Sequence, residues 1–509
     1  MVRTTPVAAE AHPDHVRVAN ACPAKRLGSA ERLDLALQAI RGTATITSLA
    51  EDADVSRKFV HQQVGIAHQA LDQAFATPAD DDDKVLFHLP VTKQFLRQNV
   101  LSLLLNCRSS YRGVINHFHD CLASHVALGT IHNIVRDAVG HARGINDRQA
   151  LGAINVGLLD EIFQAQLPVL VGVDAASTYC FLLSQETHRD GVTWGVRLLE
   201  LQDRGLDPEG FVADFGSGLR AGCALACPDT PCRGDVFHGL QKVLPVVSAL
   251  EKRAYDAITD RDKLERQAAT HGQCHGQASP SLTAKLTHAR AREQQAIALA
   301  DDVIILADWF REDVFALGGP SYIDRRVLYD FLVAELRDRI PLGSHRIKPL
   351  CTFLDNHRDQ LLSFAEKLDA DLAELATRFQ VSPETLRELL RLQHLSSANS
   401  RRWQGEAELH HQLHDRFHEI SEAVREVAGR TVRASSLVEN LNSRLRNYFT
   451  LRRHLGADYL ALLQFFLNHR RFDRSECPDR VGKSPAELLS GEGHPHWLAM
   501  LGYQPFSHN

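Results

Sequence analysis

The sequence predicts an α+β multidomain protein: helical units at the N-terminus, then a strand-bearing α/β block, then a long all-helical stretch. Three observations carry this. Short runs rich in Val, Leu, Ile and Phe, separated by Gly, Pro and Asp, crowd into residues 152–236, the texture of neighbouring strands joined by turns. From about 246 to 430 those runs vanish, and apolar residues recur at three- and four-residue steps in charged segments such as EKRAYDAITDRDKLERQAAT, the spacing of amphipathic helices. Similar helical spacing precedes the strand block.

In chain order, residues 1–28 are Pro/Ala-rich, lack periodicity and read as a tail. In residues 29–78, Ser29 is the expected N-cap of SAERLDLALQAI. Arg32 stands at the third helical position, so no capping box is expected. TITSLAEDADVSRKFVHQQVGIAHQAL then reads as a short helix Thr47–Ala53, a tight connection at Asp54–Val55 and a longer helix capped by Ser56. Leu49, Ala50, Val55, Val60 and Val64 would face inward. This helix-turn-helix pattern would present Arg57, Lys58, His61 and Gln62 to a DNA groove; a small ligand-free helical bundle explains the same periodicity. An acidic run, Asp80–Asp83, reads as a linker. Residues 84–148 form a second helical unit whose end again reads helix, turn, helix, exposing Thr130, His132, Asn133 and Arg136; a structural connector is the alternative.

Within 149–245, the segments Asn155–Phe163, Leu167–Val173, Tyr179–Gln185 and Thr193–Leu201 read as strands. Leu206–Phe215 gives a loop and a strand ending at Asp214, with Gly216 and Gly218 allowing a tight turn beside it. Cys232–Val236 reads as another strand, followed by a helix from His238. Residues 246–430 are helical. In 431–490, Ser435–Arg453 and Asp458–Arg471 read as helices and 485–489 as a helical turn, leaving 491–509 as a tail.

The bulk numbers exclude several classes. The 44% hydrophobic content suits globular cores. No run of 18 apolar residues predicts a membrane span, and the first residues lack the apolar stretch of a secretory signal. Ten scattered cysteines fit a reducing cytoplasm better than a disulfide framework. Neither Cys223, Cys227 and Cys232 nor His271, Cys274 and His275 have the paired spacing of a zinc site. No GxxxxGK[ST] is present, so no nucleotide cofactor is expected. Although the net charge is −6, Arg430–Lys483 holds eleven Lys/Arg against five Asp/Glu, a local +6, which suits phosphate attraction.

Three acidic residues carry the expected chemistry: Asp160, Asp214 and Glu439. Asp160 and Asp214 end apolar runs, where a carboxylate is costly without a cation or partner. Each alone is explained as a turn cap or ion pair, and Glu161 and Asp174 are rivals for the first position. Glu439, Asn442 and Arg446 share one helix face at three- and four-residue spacing. Asn440, Arg444, Tyr448, Arg452 and Arg453 extend that polar surface, and Arg470 and Arg471 follow on the next helix. A solvated helix with internal ion pairs explains the charges but not the Asn-rich pattern. Asp235 and His238 close a strand near these carboxylates and would support a metal ligand or touch a phosphate. Converging carboxylates on rigid elements suit two divalent cations acting on DNA phosphates. Trp309 and Trp403 would be core, or would stack on a flipped base.

This order of parts resembles the DDE transposases of bacterial insertion sequences. Asp235 and His238 match the C/D-x-x-H signature found after the second Asp in several such families. ENLNSRLR resembles the E-x-x-N-x-x-(I/L)-R helix that bears the last carboxylate. The resemblance covers roughly residues 30–490 and is most specific at 210–240 and 435–475. It implies an RNase-H-like core with a mixed sheet, in two parts (149–245 and 431–490) interrupted by the helical insertion 246–430. It implies two Mg²⁺ ions, for which Mn²⁺ would substitute, held by Asp160, Asp214 and Glu439. Asp235, His238, Asn442 and Arg446 would support them. The implied activity is cleavage at transposon ends and joining of 3′-OH groups to target DNA. The implied partners are double-stranded DNA and further copies of the chain in a dimer or larger assembly, in the cytoplasm at the bacterial nucleoid. A nuclease of the same core, or an inactive domesticated DNA-binding protein, is the alternative.

Overall fold

The computed structural model describes residues 27–76, 89–276, 279–343, 345–451 and 455–504. Most of the expected tail 1–28 and the expected linker at Asp80–Asp83 lie outside these residues. The chain divides into two compact units, Met1–Pro90 and Val91–Asn509.

The first unit holds α1 (Ser29–Arg41), α2 (Ile46–Asp52) and α3 (Arg57–Phe75) around Leu35, Leu49, Ala50 and Val60. Ser56 caps α3 as expected, accepting from the Phe59 N–H at 3.2 Å. Asp54 takes a left-handed φ of 51° in the connection, a conformation that Asp tolerates better than most residues. Two expectations shift. Gly28, not Ser29, caps α1, because Glu31 then falls at the third helical position and accepts from the Gly28 N–H at 2.6 Å. Gln63 is buried where Val64 was expected; Val64 is only half-buried.

The second unit begins with α4 (Lys93–Leu105), α5 (Tyr111–Leu122) and α6 (Leu128–Arg148). Then come β1 (Val156–Gln164), β2 (Leu167–Asp174), β3 (Cys180–Gln185), α7 (Gly191–Gln202), β4 (Gly210–Ala213), α8 (Ser217–Ala226) and β5 (Cys232–Gly234). The five strands form one mixed sheet in the order β3-β2-β1-β4-β5. β1 and β2 are antiparallel, as are β2 and β3, whereas β4 runs parallel to both β1 and β5. The chain is thus mostly helical with one small mixed sheet, an α+β arrangement.

Thr193–Leu201 is helix, not strand. Asp190 accepts from the Thr193 N–H at 2.9 Å and from its hydroxyl at 2.8 Å, an N-cap that starts α7. Trp194, Leu198 and Leu201 are then buried at helical spacing. Gly222 on α8 lets the two helices touch, since a methyl there would collide with the Trp194 Cβ.

Strand alternation splits the sheet into two faces. Leu158, Ile162, Val171 and Val212 join a core with α4–α6. Leu159, Leu170, Phe211 and Ala213 join a second core with α7 and α8. The next helices are α9 (Val236–His275), α10 (Pro280–Trp309), α11 (Tyr322–Asp338) and α12 (Ile340–Gly343). They are followed by α13 (Ile347–Phe379), α14 (Pro383–His394), α15 (Ser400–Leu413) and α16 (Phe417–Arg430). A π-helical turn, Phe310–Val314, follows α10. These helices bury cores of their own, one around Phe310, Tyr329 and Leu354 and one around Leu372, Leu389 and Ile420. α17 (Ser436–Leu451) and α18 (Gly456–His469) return to the first sheet face, burying Val438, Leu445, Leu463 and Phe466 there. The chain closes with α19 (Pro485–Ser490) and α20 (Trp497–Met500). Among the described residues no helix is long and apolar enough to cross a membrane.

Candidate metal centre

Asp160 sits inside β1 rather than at its end. By alternation it shares the face of Leu158 and Ile162, the face that α17 covers. It is 5% exposed. Its Oδ2 accepts from the Asn442 Nδ2 at 2.7 Å, and its Oδ1 accepts from the Glu161 N–H at 2.8 Å. Asn442 is fully buried, and among the described residues its own Oδ1 has no partner. β1 and β4 are in parallel register, with Leu159 opposite Ala213. One residue further, Asp160 continues β1 while Asp214 is the first residue past β4, and both keep the parity of Val212 and the α17 face.

A clasp brings the third carboxylate across. Asp235 follows β5 and caps α9, its Oδ1 accepting from the Phe237 N–H at 2.7 Å. Its Oδ2 accepts from the His238 Nδ1 at 2.9 Å, from the Ser435 N–H at 3.0 Å, and from the Ser435 hydroxyl. The Val236 N–H also donates to the Arg433 carbonyl at 3.0 Å. Ser435 immediately precedes α17, so these bonds dock the start of that helix at the end of the sheet. Burial alone would raise the Asp235 carboxyl; the bonds from His238 and Ser435 outweigh it and hold it below the ordinary value.

The result is a compact group. Ligand atoms of Asp160, His238 and Glu439 lie within 4.8 Å of one another. With Nδ1 bound to Asp235, His238 turns Nε2 to the Glu439 Oε1 at 3.5 Å. Arg446 approaches the other Glu439 oxygen at 3.9 Å. Burial pushes the Asp160 carboxyl up to about 7; the Glu161 N–H and His238 oppose this, while the charges of Glu439 and Asp214 add to it. The hydrogen bond to Asp235 raises His238 above its usual value, against its burial and with help from the nearby carboxylates. Like charges converging on one buried carboxylate are the electrostatic setting that a cation relieves.

Asp214 stands apart from the 4.8 Å group, although its charge reaches Asp160, Glu161 and His238. Its Oδ1 folds back to accept from the Gly216 N–H at 2.9 Å. Gly216 has an ordinary φ of −61°. Its missing side chain serves this close approach, because a Cβ there would lie 2.9 Å from that oxygen, rather than the tight turn expected of it. Both rivals for the first position have other work. Glu161 has the opposite parity and pairs with Arg189. Asp174 caps a turn, accepting from the Ser177 N–H at 2.7 Å and hydroxyl at 2.6 Å.

The expected DNA-facing residues divide into groups. Arg57, Lys58, His61 and Gln62 are all exposed on α3, and Thr130, His132, Asn133 and Arg136 on α6. Arg444 is half-buried. Arg470 pairs with Asp473 at 3.1 Å. Arg471 is engaged by Glu487 at 2.6 Å and by the His494 carbonyl at 3.0 Å. Arg452 and Arg453 lie outside the described residues. Trp309 and Trp403 are 43% and 56% exposed, so neither is core. The sequence reading missed Ser435. Its position just before a helix suggests only a cap, and nothing local points to a residue two hundred positions away.

Asp235→Ala is expected to cost about 3 kcal/mol or more, the scale for breaking a buried hydrogen-bonded charge network. A urea midpoint unchanged from wild type would show that the clasp does not hold α17. No protein-family model matches the chain, and no curated protein matches it.

Proposed function

We propose that this chain is a DNA transposase of the DDE type, with an RNase-H-like catalytic core formed by residues 149–245 and 431–490 and interrupted by the helical stretch 246–430. One observation carries the reading. Two carboxylates far apart in the sequence of the second unit, Asp160 and Glu439, meet on one face of a mixed sheet, with Asp214 just past the end of the strand beside Asp160. The sheet order β3-β2-β1-β4-β5, antiparallel then parallel, supports the same core.

The donor set fits divalent cations. Carboxylate oxygens suit Mg²⁺, and an Asp whose proton is held up to about 7 is ready to exchange it for a metal. Asp160, Asp214 and Glu439 would hold two ions, with Mn²⁺ as a substitute. Bound there, the ions would supply Lewis acidity and a more acidic water or 3′-OH. The chain's own residues position that site. Asn442 fixes the Asp160 carboxylate, the Asp235 clasp sets the His238 ring and the start of α17, and Arg446 brings positive charge beside Glu439 for a phosphate. DNA ends would be bound through α3 and α6, and joining two ends calls for a dimer or larger assembly. Such substrates would place the protein at the bacterial nucleoid.

The test is cleavage and strand transfer on DNA carrying the inverted repeats that flank the coding region, with Mg²⁺ and with EDTA. Absence of metal-dependent cutting sinks the proposal; cutting without joining of pre-cleaved ends favours a nuclease. A second reading has one observation behind it. His238, and not Asp214, completes the compact group, and a mixed nitrogen and oxygen set suits a single transition metal such as Zn²⁺ or Fe²⁺. That would make the protein a one-metal phosphodiesterase.

Deleting residues 1–78 removes the whole of α1–α3. It is expected to weaken binding to the ends by about tenfold or more while leaving cleavage of saturating DNA within a few-fold. Equal end binding by the truncated chain, measured by gel shift at fixed salt, would count against a recognition role for α3.

A further inference from the structure

Beside the carboxylate group, on the next face of α17, lies a cavity of about 1160 Å³ with which the reading above does nothing. Arg433, Arg444, Arg474 and Arg480 line it, against Glu476 as the lining carboxylate. Arg444 is half-buried, and among the described residues it forms no ion pair. Burial weakens its hold on its proton, and the nearby charges of Arg470 and Arg108 add to that. Arg433 and Arg480 donate to the carbonyls of Phe315 and Ala176, which fixes their positions; among the described residues neither forms an ion pair. A half-buried guanidinium among other cations is expensive unless an anion joins it.

The shape narrows the anion. The volume exceeds the roughly 300–1,000 Å³ of a small-molecule pocket, so one phosphate would fill a corner. Phe237 lines the same cavity and is 39% exposed, and Phe472 lines it too. Arginines interleaved with accessible rings bind single-stranded nucleic acid, with phosphates on the cations and unpaired base faces on the rings. The cavity also adjoins the reacting end of the fold. Asn440 follows Glu439 on α17, and Phe237 precedes His238 on α9.

We propose that this cavity holds a short unpaired DNA segment continuous with the strand cut at the carboxylates. The proposal rests on the phosphodiester reading for that continuity, whereas the binding itself requires no metal. The test uses the full chain in EDTA and a fluorescent short oligothymidylate carrying one 5-iodouracil, read by anisotropy and by photocrosslinking. Arg444→Gln and Phe237→Ala are each expected to weaken binding about fivefold or more, and Arg444→Lys to recover part of it. The crosslink should map to Phe237 or Phe472. Arg444→Gln should melt at or above the wild-type temperature, since an arginine kept for binding is a burden on the fold. Unchanged affinity in both variants, a crosslink elsewhere, equal competition by an oligoglutamate peptide, or a marked fall in the Arg444→Gln melting temperature would each overturn the proposal. Cleavage with Mg²⁺ is read separately. Cleavage without oligonucleotide binding sinks the cavity alone; binding without cleavage leaves the cavity standing and sinks the metal reading.

Discussion

Asp160→Asn is expected to abolish metal-dependent cleavage while making the metal-free protein more stable. The substitution keeps the volume but leaves one oxygen to accept from either Asn442 or the Glu161 N–H, so packing is spared at the cost of one hydrogen bond, about 1 kcal/mol, which is less than the burial cost of the charge. It removes the one group in the cluster that is both buried and negative. A loss of at least 10²–10³-fold is expected, on the scale of removing one preorganised electrostatic stabiliser. Stability moves the other way because of the proton. The folded-state pKa of about 7 lies above the ordinary 3.8. The contribution from Asp160 is therefore fully present below about 4 and is lost as pH rises through 7, a few kcal/mol at about 1.36 kcal/mol per unit. Asparagine has no such proton, so the variant should gain several degrees in melting temperature at pH 8 and little at pH 4. Millimolar Mg²⁺ should close the gap at pH 8 by stabilising wild type alone. Metal affinity should rise as pH approaches 7 and flatten above it, as protons cease to compete. Equal melting curves for the two proteins across that range would remove the basis for a strained carboxylate at this position.

Asp214→Asn separates the two metal readings. Two ions shared by Asp160, Asp214 and Glu439 require the Asp214 charge, so the variant should lose at least about 10³-fold in cleavage and bind DNA ends as wild type does. A single ion held by Asp160, His238 and Glu439 does not require it, and cleavage should stay within about tenfold. The Gly216 N–H can still donate to the asparagine oxygen, so misfolding is not the expected cause of a loss. Single-turnover cleavage alongside a gel shift decides the matter. Near-normal cleavage ends the assignment of Asp214 as a ligand and leaves the one-metal phosphodiesterase.

Much of the fold was legible because local rules and global packing agree. The α3 start at Ser56 was readable from a capping residue followed by apolar steps of three and four. β1, β2 and β3 were readable from apolar runs bounded by turn residues. α7 was not. GVTWGVRLLELQ is short and opens with Val, Thr, Trp and Val, which favour strands, so its first half misleads although RLLELQ favours helix. The cap from Asp190 and the face that Trp194 and Leu198 bury against α8 decide it, and that face exists only once α8 is placed. Asp235 and His238 were legible as a pair closing an apolar run, but the strand expected to Val236 ends at Gly234 and α9 begins at Val236, so it is three-residue spacing at a helix start that puts them in contact. That the same Asp235 oxygen also takes Ser435 was not legible, since no spacing rule links residues so distant in sequence.

The sequence alone singled out the candidates for chemistry: the carboxylates at 160, 214 and 439, the Asp235–His238 pair and the basic segment that follows Arg430. It could do so because unpaired acids beside apolar runs are costly and therefore conspicuous. Only the tertiary structure decided which of them meet. Strand register set Asp160 beside Asp214, and the clasp at Ser435 carried Glu439 to Asp160. His238 entered the group because Asp235 holds its ring by one nitrogen and leaves the other free.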